Sequence, residues 1–208
     1  KDDYSFAQYV SFVNKVLEKL KINSCYLGGN SLGGGITWEF ALKHPDKVKK
    51  MILLDPDGCE FKLGKGAVGF KLVRILGKIP LLKYILYFST PDWSIEHSVQ
   101  GVYYDKSKIK RETVERYKDF TLRAGNRKAL MLRLNAPFVD NSPYLKTIKT
   151  PALIIWGDND DIIPVALAQR FSKELPNNKL VILKNMGHIP MEEAPEIVAP
   201  LVEDFIKE

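Results

Sequence analysis

The sequence predicts an α/β domain built on a mostly parallel sheet, and three features of its 208 residues carry this prediction. First, short apolar runs alternate with amphipathic helical segments in residues 1–60 and again in 150–208. Second, the runs 50–54 and 152–156 are too apolar for strands with one solvated face and suit the middle of a parallel sheet. Third, this rhythm stops in 61–149, where helical periodicity dominates. An insertion of that length is expected to form a helical subdomain rather than a loop.

The individual elements are predicted from periodicity and from helix-start signals. Ser5 and Gln8 have the spacing of a capping box, and the apolar residues after them recur at helical intervals as far as Leu20. Pro200 falls inside the apolar stripe of the last helix, so it is expected to kink this helix or to mark its true start. The predicted strands are 24–27, 50–54, 152–156 and 180–183, and the further predicted helices are 36–43, 165–175 and 197–206.

Composition and charge exclude several classes of protein. With 45% hydrophobic and 27% charged residues, the chain has the balance of a globular domain. Cys25 and Cys59 support neither a disulfide framework nor a cysteine-based zinc site, and no apolar run is long enough for a membrane-spanning helix. The net charge of +6 is local, because six basic residues and no acidic one lie between Phe61 and Thr90. A nucleic-acid-binding surface spread over the whole protein is therefore not expected.

Residues 29–33, Gly-Asn-Ser-Leu-Gly, match the pattern G-x-S-x-G between a predicted strand and a predicted helix. This pattern places its serine, Ser31, on a sharp and strained turn, where side chains at the flanking glycine positions are expected to collide. The amide of Leu32 then lies at a helix N-terminus and can donate to an oxyanion. A phosphate-binding loop is the alternative, but Gly34 and Gly35 stand where that motif requires Lys and Ser or Thr.

A nucleophilic serine needs a base and an acid, and the candidates follow the later strands. Of three histidines, His188 lies shortly after the last predicted strand, at the sheet edge where Ser31 is also expected. His44 and His97 are expected to be a helix-end residue and a surface residue. The acid that orients the histidine is expected among residues 158–161, which follow the strand 152–156. Three of these residues are aspartates, and spacing alone does not choose among them.

Several segments together resemble the α/β-hydrolase family over nearly the whole chain. The matching segments are 28–34 (GGNSLGG), 41–45 (ALKHP), 52–55 (ILLD), 155–164 (IWGDNDDIIP) and 187–190 (GHIP) with Glu192 and Glu193. The family pattern W-G-x-x-D-x-x-x-P places the acid on Asp160. The resemblance thus implies an α/β-hydrolase fold with Ser31, Asp160 and His188 as catalytic triad and the Leu32 amide as oxyanion donor. It implies hydrolase core in 1–60 and 150–208, and a helical cap in 61–149 inserted after the strand that follows the nucleophile helix.

The implied activity is a serine hydrolase that cleaves a small, apolar ester or related acyl substrate through an acyl-enzyme, without a metal or organic cofactor and in the cytoplasm. Hydrolysis of a carbon–carbon bond in a ring-fission product is the nearest alternative: Asn30 before the serine favours it, whereas Ile189 stands where those enzymes carry an aromatic residue. A third possibility is a hydrolase-fold binding protein with little turnover. The family's earlier strands and its second oxyanion donor have no counterpart here, so the chain is expected to be a fragment or ordered remainder of a longer protein.

The basic segment 62–88 has two interpretations under this resemblance. Its apolar and basic residues could form a cap surface that approaches an anionic membrane or a lipid-like substrate. The favoured interpretation is a cap helix that packs its apolar face over the active site and leaves a solvated basic rim.

Overall fold

A computed structural model describes residues 3–60, 75, 79 and 90–208. The basic segment 62–88 therefore lies, apart from Ile75 and Ile79, outside the described residues, and its proposed contact with a membrane surface stays a prediction. The boundaries of the predicted cap at 61 and 149 also stay a prediction.

A parallel sheet organises the described part of the chain. Its four strands are β1 (Cys25–Asn30), β2 (Val48–Leu54), β3 (Ala152–Gly157) and β4 (Asn178–Leu183). They lie in the order β1-β2-β3-β4, and every neighbouring pair is parallel. Asn30 pairs with Leu54, and Leu54 pairs with Ile155, so the carboxyl ends of these strands lie along one edge. The predicted α/β architecture is confirmed, and this edge is where loops after the strands can meet.

Helices join and flank these strands. In chain order they are α1 (Phe6–Lys19), α2 (Leu32–Lys43), α3 (Asp92–Val102), α4 (Arg111–Leu122), α5 (Asn126–Leu134), α6 (Ala166–Glu174), α7 (Pro190–Glu193) and α8 (Pro195–Lys207). Helices α3 to α5 fall between β2 and β3, where the sequence predicts helical structure. Among the described residues, no helix is long and apolar enough to cross a membrane.

Some helices begin where sequence signals predict, whereas the start of α2 is determined by packing. Ser5 caps α1, because its hydroxyl accepts a hydrogen bond from the Gln8 amide at 3.2 Å. Helix α2 begins at Leu32, four residues before the predicted start, although three glycines in its first turn have low helix propensity. Helix α8 begins at Pro195, a favourable first position for proline, so Pro200 lies inside the helix and does not mark its start.

The core lies on both faces of the sheet because successive strand residues point to opposite sides. In β2, Met51 and Leu53 join the cluster beneath α2 and α6, which includes Trp38 and Phe171. Their neighbours Ile52 and Leu54 join the opposite cluster, which α8 covers with Val198 and Phe205. All six residues of β3 are buried. A sheet covered on both faces leaves its carboxyl edge as the place for functional loops.

Candidate active site

Ser31 occupies a strained turn between β1 and α2. Its φ of 53° and ψ of −119° lie outside the regions that an L-residue ordinarily adopts. Backbone hydrogen bonds hold this conformation: the Ser31 amide donates to the Leu54 carbonyl, and the Ser31 carbonyl accepts from the Gly35 and Asp57 amides, each at 2.9 Å. Residues held in such conformations cluster at functional sites because the surrounding structure must stabilise them. Leu32 follows as the first residue of α2, so its amide has no acceptor within the helix.

The glycines around Ser31 differ in whether a larger side chain would fit at their positions. A Cβ on Gly29 would lie 2.3 Å from the carbonyl carbon of Gly33, so only glycine fits there. The expected collision at Gly33 itself is wrong, because no heavy atom outside its own helix lies within 4 Å of a Cβ placed there. The close approach falls instead on Gly34, where a Cβ would lie 2.8 Å from the Pro56 side chain. The glycine run therefore lets α2 pack against the loop that follows β2.

Asp160 and His188 are joined directly by their side chains. His188 Nδ1 lies 2.7 Å from Asp160 Oδ2, and the side chains are 6% and 0% exposed, respectively. The other Asp160 oxygen, Oδ1, accepts from the Ile162 and Ile163 amides at 2.7 and 2.9 Å. A carboxylate held on both oxygens fixes the ring, and because Nδ1 points at the acid, Nε2 is the nitrogen left for other chemistry.

The other two aspartates of this loop do not reach the histidine through a hydrogen bond in the described structure. Asp158 accepts from the Asn185 amide at 2.8 Å and pairs with Lys184 at 3.3 Å, which stabilises a turn. Asp161 is exposed. Of the three aspartates, Asp160 alone has a side-chain hydrogen bond to the histidine in the described structure.

The loop that carries His188 is fixed by its own backbone on two sides. The His188 carbonyl accepts from Asn30 Nδ2 at 2.9 Å, and Asn30 directly precedes Ser31. The His188 amide donates to the carbonyl of Val102, at the end of α3, also at 2.9 Å. A Cβ on Gly187 would lie 2.4 Å from that same Val102 oxygen, so the loop and the helix end touch backbone to backbone. The histidine is thus positioned between the serine turn and the helices inserted after β2.

Glu193 reinforces this contact with a buried carboxylate. Its side chain accepts three backbone hydrogen bonds, from Gly187 at 2.8 Å, Tyr104 at 3.2 Å and Asp105 at 2.7 Å. Glu193 is 3% exposed, and three amide donors compensate for the burial of its charge. One carboxylate therefore connects the loop that carries His188 to the residues that follow α3.

Replacing Glu193 with glutamine is expected to lower the free energy of unfolding by about 2 kcal/mol, because a buried donor left unpaired costs about that much. The glutamine oxygen can serve the Gly187 and Tyr104 amides, but its NH₂ group then faces the Asp105 amide, and two donors cannot pair. Urea unfolding measures the change, with exposed Glu196→Gln as the control. Equal midpoints for E193Q and E196Q would contradict the assigned role.

Asp55, the residue after β2, lies beside the Asp160–His188 pair. It is completely buried, has a positive φ of 42°, and accepts a hydrogen bond from the Gly157 amide at 2.9 Å. Its burial, followed by the charge of Asp160, raises the pKa of the Asp55 carboxyl well above the ordinary value.

One group among the described residues has a composition that suits a metal ion. It consists of Asp55, Asp160 and His188, and one possible ligand atom from each lies within 4.8 Å of the others. The 2.7 Å between His188 Nδ1 and Asp160 Oδ2 is a hydrogen-bond distance. Nitrogen and oxygen ligands on a tetrahedral zinc ion lie roughly 3.4 Å apart. The arrangement therefore fits a proton better than a metal between the acid and the histidine.

Comparison with known proteins places the chain in a family. Residues 1–195 match the sequence model of the alpha/beta hydrolase fold. The chain belongs to the α/β-hydrolase family. This hydrolase is 30% identical over 98% of its length to an uncharacterized hydrolase, YugF, of Bacillus subtilis, and spans 73% of that relative. It is 27% identical over 99% of its length to the human monoacylglycerol lipase ABHD6 and spans 62% of it.

Other relatives of this α/β-hydrolase are named for different substrates. It is 25% identical to the 2-hydroxymuconate semialdehyde hydrolase of Pseudomonas putida, with 99% of this chain and 70% of that enzyme covered. Among solved structures, it superposes on the meta-cleavage product hydrolase CumD of Pseudomonas fluorescens with a TM-score of 0.83 and 20% identity, over 100% of this chain and 73% of that one. The structural likeness shows the fold, and the relatives together show an enzyme of the hydrolase class.

Three residues contact or lie beside the site of this α/β-hydrolase in ways that the sequence does not predict. Asn30 and Glu193 stand inside the segments that carry the family resemblance, yet no spacing rule pairs them with the backbone of His188 or Gly187. Asp55 had a detectable signal: it is an acidic residue directly after a wholly apolar strand end, at the same sheet edge as Ser31 and Asp160.

Proposed function

We propose that this α/β-hydrolase cleaves a small ester or related acyl substrate through Ser31, His188 and Asp160. The hydrogen bond between His188 and Asp160, buried and at 2.7 Å, is the observation that carries the proposal. A histidine oriented by a buried carboxylate at the edge that also holds a strained serine is the arrangement needed to activate a hydroxyl.

In the proposed reaction, His188 Nε2 removes the proton of Ser31 as Oγ attacks the substrate carbonyl carbon. The Leu32 amide at the start of α2 donates to the developing oxyanion. His188 then gives the proton to the leaving alcohol as the carbon–oxygen bond breaks, which leaves an acyl-enzyme on Ser31. Water attacks this ester with His188 again as base, releases the acid and restores the serine. Asp160 stays ionised and stabilises the imidazolium in both halves.

The ester substrate class is supported by the identity to the human monoacylglycerol lipase. Hydrolysis of a carbon–carbon bond is the second candidate, supported by the identity to the 2-hydroxymuconate semialdehyde hydrolase. Both reactions would use the same three residues, so the choice is made by the pocket. We propose that residues 61–149, which include α3 to α5, form the cap that shapes this pocket, and that the substrate is apolar.

Intact mass after exposure to a fluorophosphonate tests the proposed nucleophile in the natural protein that carries this sequence. We expect one covalent adduct on the wild type and none on Ser31→Ala, because only an activated serine attacks the phosphorus centre. Comparing turnover of a monoacylglycerol with that of a vinylogous ring-fission diketone then separates the two candidate reactions. A wild type that forms no adduct would overturn the catalytic proposal in favour of a binding protein with the hydrolase fold.

A further inference from the structure

Asp55 presents an oxygen with no donor. Its Oδ1 accepts from the Gly157 amide at 2.9 Å, whereas its Oδ2 is buried and has no hydrogen-bond partner among the described residues. Among the described residues, it is the one buried side-chain nitrogen or oxygen atom that has no hydrogen-bond partner. An ionised carboxylate whose second oxygen is buried without a hydrogen bond is costly, since burial disfavours the charge and no donor offsets it.

The neighbour of Asp55 is a second carboxyl, that of Asp160. Possible ligand atoms of Asp55, Asp160 and His188 all lie within 4.8 Å of one another. Two carboxylates this close in a buried site do not both ionise, because their charges repel in a medium of low dielectric constant. This repulsion favours a proton on one of the two carboxyl groups.

The hydrogen bonds decide which one holds it. Asp160 accepts from two amides, those of Ile162 and Ile163, and lies 2.7 Å from His188 Nδ1. Asp55 accepts from the Gly157 amide alone. Donors favour the charged form of a carboxyl group, so Asp160 is the better-stabilised anion and the proton belongs on Asp55.

We propose that Asp55 is held as a neutral carboxylic acid that donates its proton to the Asp160 carboxylate, and that it acts as a positioning residue behind the catalytic pair. The O–H group gives the otherwise bare oxygen a partner and adds a further donor to Asp160. The acid pair then carries one negative charge. A second negative charge beside His188 would stabilise the protonated imidazolium, which cannot act as a base. The effect on turnover rests on the proposed function, whereas the proton on Asp55 does not.

Titratable groups from the loops after β3 and β4 lie beside Asp55. Asp160 and His188 face Asp55 directly. Asp57, two residues along, has its carboxylate 3.7 Å from Arg133 of α5, and its pKa is raised by its burial. The positive φ of 42° at Asp55 is consistent with a residue that the surroundings force into one orientation.

The pH dependence of thermal unfolding tests the proton on Asp55 without any assay of activity. In the unfolded chain an aspartate ionises near pH 4, whereas folded Asp55 keeps its proton, so wild-type stability falls as pH rises above that value. Asparagine has no proton to lose but can accept from Gly157 and donate to Asp160. The melting temperature of Asp55→Asn relative to wild type is therefore expected to gain about 3 to 5 °C per pH unit between about pH 5 and 7.

Exposed Asp161→Asn is the matched control, for which the difference from wild type should stay flat with pH. A flat difference for D55N, or one that falls as pH rises, would overturn the proposal, because an ionised and stabilised Asp55 would give that result.

Kinetics test the positioning role. Asp55→Ala removes the donor to Asp160 and is expected to lower kcat on the order of tenfold with little change in KM. D55N restores the donor, so it should recover most of that loss and keep the acid limb of the kcat/KM profile in place. An acid limb that moves to lower pH in D55N would show that a negative charge had been removed beside His188, which would contradict the neutral acid. If wild type forms no fluorophosphonate adduct, the proposed function fails, and the melting experiment still decides the state of Asp55.

Discussion

Replacing His188 with alanine is expected to lower kcat for ester hydrolysis by roughly 10⁵- to 10⁶-fold. Among the residues that the structure describes, His188 is the one histidine joined to a buried carboxylate, through Nδ1 at 2.7 Å. Without its Nε2, the proposed base for Ser31 is lost. The measurement is steady-state turnover of a monoacylglycerol or an activated aryl ester by the purified variant.

The chain provides its own controls for this experiment. His97 lies exposed on α3, so His97→Ala should change kcat by less than about twofold, as expected for a surface position. Because a base and its nucleophile act as a unit, adding Ser31→Ala to His188→Ala should cost little more than either change alone. A double variant whose losses multiply would contradict a shared role for the two residues.

Changing Asp160 to asparagine is expected to reduce kcat by about 10⁴-fold while the fold remains intact. The asparagine oxygen can still accept from the Ile162 and Ile163 amides, so its NH₂ group is directed at His188 Nδ1. An N–H donor there stabilises the tautomer with its proton on Nε2, which cannot take the proton of Ser31. Turnover of the same ester measures the loss.

Two neighbouring aspartates make this prediction specific. Asp158 stabilises the turn to Lys184 and Asn185, and Asp161 is exposed. Asparagine at either position is expected to leave kcat within about threefold of wild type, as for positions outside the site. A loss in D158N as large as that in D160N would show that the wrong acid has been assigned.

The sequence predicts the sheet well because its strands are buried on both faces. Residues 51–54 and 152–156 are apolar without interruption, and such runs suit the interior of a parallel sheet that is covered on both faces. The edge on which the functional loops meet follows from the same argument, since the carboxyl ends of parallel strands share one edge. Helix boundaries are predicted less well. The start of α2 at Leu32 contradicts local propensity because the glycines there allow a close approach to Pro56.

The supporting contacts of the site are not predicted because they depend on packing between distant segments. Asn30 contacts His188 across 158 positions, and Glu193 contacts Asp105 across 88. No periodicity or motif encodes such pairs. The choice of Asp160 over Asp158 and Asp161 came from family resemblance, and only its hydrogen bond to His188 gives that choice a geometric basis.

The contact between Asn30 and His188 also has a consequence for how the protein folds. It joins the first strand of the described sheet to the loop after the last one, so residues 158 positions apart must come together before the two sides of the proposed site meet. Contacts of such sequence separation form late and slow the folding of a domain. The sheet neighbours β1 and β2 are close in sequence and can pair early. We therefore expect β1 and β2 to pair before Asn30 meets His188 during refolding, and any activity that depends on His188 to return no earlier than that contact.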